Sequence, residues 1–325
     1  MPAIEDFYLP FPSGINQHVA STHAHTLAWE RSMGLVSSKG LVSQYARRRG
    51  AALCGRMLPR AELADLNLLS DINDLGFLID DYFGIPPGNT PSVAREMVAE
   101  LTEVMYRAPT ALPPSRPSVF GRAFAQVWER STVGMSPKWC ARWAGHWKDF
   151  FDGCLIEVEF CSRGEVPTLD AYTILRRKTC AMIIIPDLTE RFGGFEISEH
   201  LYNAPELQEM FDIELDVCAH INDILSVDRE ESAGHMFNLV LLREHHLGDT
   251  RQESVQHVYR LIRHRVERFL GLKDELRLTG PYLALQAVER AHLASVVETL
   301  QDVMRGLLDW TLLDTGRYLG NEHEQ

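Results

Sequence analysis

The sequence of 325 residues predicts an all-α protein, built as one domain of about a dozen helices. Apolar residues recur at helical spacing along most of the chain, as they do at Leu66, Leu69 and Ile72. Proline and glycine stand where such stretches begin and end, and no stretch alternates like a β-strand. A chain of this length can bury a large core without disulfide bonds, so the helices are expected to pack into a single body.

Prolines and glycines set the boundaries of the predicted elements. Residues 1–19 are expected to form an extended apolar strap, because their prolines remove backbone donors and exclude a helix interior. Gly34 is a natural helix stop, and Pro186 must kink or break the helix that carries Arg176 at a point after Arg176 and Arg177. Helices are predicted over residues 21–33, 41–57, 61–84, 204–234, 237–246, 252–276 and 282–313, and another runs from the turn at 88–91 to about 106. Three more start near residues 120, 136 and 167.

Charge and composition exclude several classes of function. The formal net charge is -13, from 32 basic and 45 acidic residues, whereas nucleic acids and anionic membranes are bound by a basic field. No apolar run reaches the roughly 18 residues of a membrane-spanning helix, and the N-terminus lacks the regions of a signal peptide. The sequence therefore predicts a cytoplasmic protein with no nucleic-acid or membrane partner. The six cysteines form no zinc spacing and are expected to be reduced thiols.

One polar stripe lies on the helix predicted over residues 204–234. Asn222, Ser226 and Glu230 follow each other at four-residue steps, which return to nearly the same face of an α-helix. An amide oxygen, a hydroxyl and a carboxylate are the hard ligands that Mg²⁺ prefers, whereas zinc or copper favours histidine or cysteine. Arg229 flanks the stripe, where its guanidinium could take a phosphate oxygen. For this stretch alone, a solvated polar face stays open as the alternative.

A pair of acidic residues ends the helix predicted over residues 61–84. Asp80 and Asp81 are adjacent. Phe77 stands three residues before Asp80, and Phe83 stands two residues after Asp81. Carboxylates beside aromatic rings are costly to bury unless a cation is shared, and the helix dipole disfavours acids at a C-terminus. The pair is therefore predicted to bind a metal ion.

These motifs together resemble the bacterial class I terpene synthases, sesquiterpene cyclases among them, over essentially the whole chain. In that family an aspartate-rich motif and an N-D-x-x-S-x-x-[KR]-E motif face each other across a helical barrel and bind three Mg²⁺ ions with a prenyl diphosphate. The second motif here, from Asn222 to Glu230, fits at every specified position. Arg176 stands 46 residues before Asn222, where the family keeps its diphosphate-sensing arginine, and Arg317-Tyr318 match its C-terminal Arg-Tyr pair.

The chain departs from the family pattern at two places. The aspartate-rich motif usually carries a third acid three to five residues after its first aspartate, whereas residues 83–85 here are Phe-Gly-Ile. The resemblance then implies Asp80 as the main ligand, with Asp81 held by a basic neighbour. At the family's helix-break position, where a glycine is common, this chain has Cys180, preceded by an ordinary linking residue, Thr179.

The resemblance implies a reaction and a set of site residues. Farnesyl diphosphate would be ionised to an allylic cation and cyclised to a sesquiterpene hydrocarbon or alcohol, with release of diphosphate. Oxygen ligands would hold the metal ions, cationic donors would bind the leaving group, and an apolar wall would shield the cation. The metal ligands implied are Asp80, Asp81, Asn222, Ser226 and Glu230; the diphosphate donors are Arg176, Arg229, Arg317 and Tyr318; the pocket residues are Phe77, Phe83, Thr179, Cys180 and Trp310.

Three other functions stay open at this point. The substrate could be geranyl or geranylgeranyl diphosphate, because all the recognition implied is at the diphosphate end. A chain-elongating prenyltransferase is a further alternative, although the second motif is of the cyclase kind. The incomplete first motif also leaves a non-catalytic, prenyl-diphosphate-binding helical protein open. The strap at 1–19 and the segment 314–325 are expected to close as lids, and an antiparallel homodimer would fit the family.

Overall fold

The computed structural model describes residues 3–36, 39–85, 88–107 and 116–316, and this part of the chain contains helices and no strand, which confirms the predicted all-α class. Thirteen helices have eight or more residues, and two have four. The helices are α1 Val19–Met33, α2 Lys39–Arg48, α3 Gly50–Met57, α4 Leu63–Phe83, α5 Pro91–Tyr106, α6 Val119–Thr132, α7 Pro137–Arg163, α8 Leu169–Thr179, α9 Ile184–Gly193, α10 Glu199–Tyr202, α11 Pro205–Ser232, α12 Leu239–Leu247, α13 Arg251–Leu278, α14 Gly280–Leu283 and α15 Ala287–Asp309.

Two of the predicted helices are each divided in the structure. The single helix predicted over 41–57 is wrong, because Arg49 adopts a left-handed conformation with φ 54° and separates α2 from α3. The single helix predicted over 282–313 is also wrong. Gln286 and Glu289 form a capping box that starts α15 afresh, and a π-helical turn follows it at Trp310–Asp314. The kink or break predicted after Arg176 and Arg177 is confirmed as a break, since α8 ends at Thr179 and α9 begins at Ile184, with Pro186 in its first turn.

The helix with the polar stripe lies in the middle of the bundle. α11 packs against α8, α12, α13 and α15, and its apolar side is almost wholly buried. The stripe is therefore held on a rigid, central element, which suits a site that must position charges accurately.

The N-terminal segment lies across α13. Phe7 and Phe11 are buried, and their rings lie 4.9 Å and 5.9 Å from those of Tyr259 and Phe269. Aromatic rings at these separations and angles pack edge to face, so the segment is anchored by its side chains. All six cysteines are free thiols. In the described ranges, no helix is both long enough and apolar enough to cross a membrane.

Candidate active site

The polar stripe of α11 has one buried and one partly exposed end. Ser226 is fully buried and its Oγ has no hydrogen-bond partner, whereas 15% of the Glu230 side chain is exposed. Asn238, the N-cap of α12, donates from Nδ2 to Glu230 Oε2 and to the Asp223 carbonyl oxygen, both at 2.8 Å. The cap of the next helix therefore fixes the C-terminal end of the stripe.

Arg176 on α8 reaches the other end of the stripe. Its Nη2 donates to Asn222 Oδ1 at 2.6 Å and its Nε donates to Asp223 Oδ1 at 3.3 Å. Asp223 is fully buried and also accepts hydrogen bonds from the Tyr172 hydroxyl and from the Leu239 amide at 2.8 Å. Burial raises the pKa of Asp223 to about 6, although Arg176 opposes the shift. Asp223 thus anchors Arg176 to α11, and the structure brings together two features that the sequence places far apart.

The two adjacent aspartates of α4 have different surroundings. Asp80 is exposed at the last turn of the helix, whereas Asp81 Oδ2 accepts a hydrogen bond from Arg48 Nη2 at 3.1 Å. The prediction that a basic neighbour holds Asp81 is therefore confirmed. The Arg48 side chain is 2% exposed, and its Nη1 lies 3.8 Å from Oδ1 of the fully buried Asp74.

The structure joins two of the three predicted aromatic residues. The rings of Phe77 and Trp310 lie 6.0 Å apart, and the Trp310 Nε1 donates to the Arg48 carbonyl oxygen at 3.2 Å. Trp310 is fully buried, Phe83 is 5% exposed and packs beside Tyr82, and only Phe77 of the three keeps part of its surface uncovered. Of the three predicted aromatic residues, Phe77 therefore has the most surface that a ligand could contact.

The segment after α8 turns sharply without a glycine. Cys180 has φ -62°, an ordinary right-handed value, and the left-handed residue is Ala181 with φ 57°. A cysteine at position 180 is therefore compatible with the break. A glycine is needed on the facing helix instead, because a Cβ at Gly153 of α7 would lie 2.9 Å from Thr179 Cγ2. Burial raises the pKa of Cys180 to about 12, so its thiol is neutral.

Glu157 on α7 is not among the residues predicted from the sequence. Its Oε1 is buried without a hydrogen-bond partner. Burial raises the pKa of Glu157 to about 7, Arg176 opposes the shift, and Asp80 and Glu230 add to it, which places the residue near both motifs. A signal was present in the sequence, since Trp139, Trp143 and Trp147 form a buried stripe on α7 and Glu157 continues it at helical spacing.

The donor atoms of the site suit a divalent cation. The stripe offers only oxygen atoms, and an unpartnered buried hydroxyl such as that of Ser226 is the kind of ligand a bound cation would satisfy. No three His, Cys, Asp or Glu side chains of the described residues lie close enough together to hold a metal by themselves. That arrangement fits Mg²⁺, which keeps several water molecules and takes part of its coordination from phosphate.

Three predicted donors to the diphosphate differ in what the structure shows. The Arg229 side chain is 40% exposed, with Nη2 lying 3.5 Å from Glu230 Oε1. Arg317 and Tyr318 lie outside the described residues, as does most of the predicted C-terminal lid. Their roles stay predictions.

Known proteins resemble the chain in both sequence and structure. A model described as terpene synthase family 2, C-terminal metal binding, matches residues 71–268. The pentalenene synthase of Streptomyces arenae is 34% identical over 322 residues, which cover 98% of this chain and 94% of that protein. A (-)-beta-caryophyllene synthase of Saccharothrix espanaensis, named as cyclizing (2E,6E)-farnesyl diphosphate, is 31% identical over 94% of this chain and 86% of its own.

Among solved structures, the Linalool/Nerolidol synthase from Streptomyces clavuligerus superposes with a TM-score of 0.85 at 28% identity, over 94% of this chain and 99% of that chain. A further structure of that enzyme contains 2-fluorogeranyl diphosphate. The family model covers more than half of the chain, and the relatives cover nearly all of it. The chain therefore belongs to the bacterial class I terpene synthases, the family to which its two polar motifs and its helical fold both point.

Proposed function

We propose that the protein is a Mg²⁺-dependent terpene cyclase that ionises farnesyl diphosphate and closes the allylic cation to a sesquiterpene hydrocarbon or alcohol. The observation that carries this proposal is the contact of Arg176 with Asn222, because it unites a diphosphate-binding cation with a stripe of metal-binding oxygens. Together they supply the two kinds of group that the ionisation of a prenyl diphosphate requires.

The leaving diphosphate is the first demand on the site. Asn222, Ser226 and Glu230 would hold Mg²⁺ from one side and Asp80 from the other, and the bound metal supplies charge stabilisation as the carbon-oxygen bond breaks. Arg176 donates to the diphosphate oxygens, since its planar fork matches their geometry and Asp223 holds it in place. Because Arg229 lies at the exposed rim, it can donate to the same group.

The cation is the second demand. It must meet no water or anion until cyclisation is complete, so the walls beside the diphosphate end must be apolar or neutral. Phe77 is the least buried of the three predicted aromatic residues and its ring can stabilise positive charge, while the neutral thiol of Cys180 does not trap a cation as a thiolate would. Trp310 supports Phe77 from behind.

Substrate length is a matter of pocket depth. Each buried methylene contributes about 0.8 kcal/mol, so a five-carbon unit that fits adds several kcal/mol and one that clashes is excluded. The relative that is named for cyclizing farnesyl diphosphate supports the fifteen-carbon ester. The structural neighbour with bound 2-fluorogeranyl diphosphate favours geranyl diphosphate as the second candidate.

Competition between the geranyl, farnesyl and geranylgeranyl esters at equal concentration with Mg²⁺ tests the proposal, with products identified by gas chromatography and mass spectrometry. We expect cyclised fifteen-carbon products and the highest kcat/KM for farnesyl diphosphate. A higher value for either other ester overturns the chain length alone. A longer diphosphate product would indicate elongation, and retained binding without turnover would indicate a binding protein.

An antiparallel homodimer is also part of the proposal, and it rests on the resemblance to the family. Sedimentation velocity tests it directly. We expect a species of twice the mass of the 36.9 kDa chain, and a monomer at micromolar concentration would contradict it.

A further inference from the structure

Arg48 is a buried arginine behind the first metal motif, and the proposed function gives it no role. Its side chain is 2% exposed, and it lies at the end of α2, where the left-handed Arg49 turns the chain into α3. Burying a guanidinium is expensive unless its charge and its donors are matched. The contacts of Arg48 must therefore explain why an arginine is buried at this position.

The contacts of Arg48 divide into two carboxylates and one ring. Nη2 donates to Asp81 Oδ2 at 3.1 Å, Nη1 lies 3.8 Å from Asp74 Oδ1, and the guanidinium carbon lies 5.3 Å from the centre of the Phe77 ring. All three partners belong to α4 and lie within two turns of it. One cation therefore contacts both the second aspartate of the motif and the aromatic residue Phe77.

The fit of Arg48 to these partners is poor by the standard of a purely structural ion pair. Its Nε and Nη1 are buried and donate no hydrogen bond. Orphaned donors of a charged group reduce stability, so an arginine kept for stability alone would be expected to satisfy them. These unpaired donors indicate that Arg48 positions its neighbours on α4 more than it stabilises the fold.

The backbone carbonyl groups at Arg48 and Arg49 accept hydrogen bonds from the C-terminal part of the chain. Trp310 Nε1 donates to the carbonyl oxygens of Arg48 and Arg49 at 3.2 Å and 3.1 Å, and Thr315 Oγ1 donates to the Arg48 carbonyl oxygen at 2.8 Å. Gly50 makes the tight junction possible, because a Cβ there would lie 2.0 Å from an oxygen of Asp74. The junction of α2 and α3 thus connects α4 with the segment that leads to Arg317 and Tyr318.

From these contacts we propose that Arg48 is a positioning residue for the first metal motif. It holds Asp81 aside, so that Asp80 is the aspartate that binds the metal, and it fixes the ring of Phe77 against Trp310. The proposal rests on the proposed function, since it assigns Arg48 a role in that metal site. It also accounts for a motif that keeps two adjacent aspartates while lacking the third acid of the family.

A double-mutant cycle tests whether Arg48 acts through Asp81. The variants are Arg48→Gln, Asp81→Asn and the two combined, with Arg47→Gln as the control, because Arg47 is an exposed arginine one residue away. The primary measurement is the binding of Mn²⁺ with inorganic diphosphate, followed by electron paramagnetic resonance. Circular dichroism confirms folding, and the ratio of terpene products reports on Phe77.

We expect Arg48→Gln to weaken metal-diphosphate binding at least tenfold and to change the product ratio, while Arg47→Gln leaves both within twofold. In the Asp81→Asn background, Arg48→Gln should weaken binding less than threefold further, since the carboxylate that it restrains is gone. An equal loss in both backgrounds would mean a structural role and would overturn the proposal.

Two other outcomes are also decisive. If Arg48→Gln does not fold, the same cycle is run with Arg48→Lys, which keeps the charge and loses the fork, and the same criterion of coupling applies. If the wild-type protein binds no Mn²⁺ with diphosphate and turns over no prenyl ester, the proposed function fails. Normal wild-type binding with an additive cycle removes only the role of Arg48.

Discussion

Glu214 on α11 makes a prediction about stability that is independent of the reaction. It is fully buried two turns before Asn222, its Oε2 has no hydrogen-bond partner, and its Oε1 accepts a weak hydrogen bond from Cys218 Sγ at 3.6 Å. Burial raises the pKa of Glu214 from 4.5 to about 8. We expect Glu214→Gln, which has the same shape and never ionises, to stabilise the protein at alkaline pH.

The size of the effect follows from proton linkage. Between pH 4.5 and about 8 the folded carboxyl keeps its proton and the unfolded carboxyl has lost it, so the folded state binds more protons and its stability falls as pH rises. Each pH unit in that window corresponds to at most about 1.4 kcal/mol. From pH 5 to pH 8 the wild type should therefore lose about 2 to 4 kcal/mol that the variant keeps.

Urea unfolding of both proteins in EDTA at pH 5, 6, 7 and 8 measures the difference, because all other titrating groups are common to the two. Glu209→Gln is the matched control on the same helix. Pairing with Arg268 lowers the pKa of the Glu209 carboxyl in the folded protein. The carboxyl is therefore ionised from pH 5 to pH 8 in both the folded and the unfolded protein. The free-energy difference between wild type and Glu209→Gln should therefore not change with pH. A free-energy difference between wild type and Glu214→Gln that stays constant from pH 5 to pH 8 would refute the reasoning.

The remaining predictions concern the metal site. Removing divalent cations with EDTA should abolish turnover and excess Mg²⁺ should restore it, because all proposed ligands are oxygen atoms; full activity in EDTA would remove the metal assignment. Asp80→Asn should lower kcat/KM by about 100-fold or more and Asp81→Asn by less, which steady-state kinetics will compare; the reverse order would mean that Asp81 is the main ligand. Arg176→Lys should lower kcat by about 10- to 100-fold, because lysine lacks the planar fork of the guanidinium. The wild-type Arg177 side chain pairs with carboxylates of α11, so kcat of Arg177→Lys should stay within about threefold of the wild type. Equal tolerance at both positions would remove the diphosphate-sensing role of Arg176.

Much of the fold could be predicted because helical periodicity and capping are local properties of the sequence. The end of α1 lies at its expected position, where Gly34 marks it, and α8 ends soon after Arg176 and Arg177, as expected. The break at Arg49 could not be predicted, because a positive φ at an arginine is imposed by tertiary contacts and leaves no trace in composition. The same holds for Ala181.

The site residues could likewise be predicted from the sequence only in part. The stripe of Asn222, Ser226 and Glu230 is visible because it lies on one helix with a fixed repeat. The partner of Asp81 is Arg48, which stands 33 residues earlier, and only the tertiary fold brings the end of α2 close to α4. Glu157 carried a partial signal as an acid in a buried stripe, yet its nearness to both motifs depends on how α7 crosses α4 and α8.

The hydrogen bond from Arg176 to Asn222 has a consequence for the order of binding. At 2.6 Å the guanidinium uses the oxygen that a metal ion would need, and two cations on one amide oxygen repel each other. Under the proposed function, a metal ion that binds before diphosphate either shares Asn222 Oδ1 with the guanidinium or displaces it, and displacement costs about 1.5 to 3 kcal/mol, the value of a charge-assisted hydrogen bond. Diphosphate offers the displaced guanidinium a better acceptor, so each ligand raises the affinity for the other by the same factor. Under the proposed function, we therefore expect metal and diphosphate to bind together, because Arg176 occupies Asn222 in the ligand-free conformation.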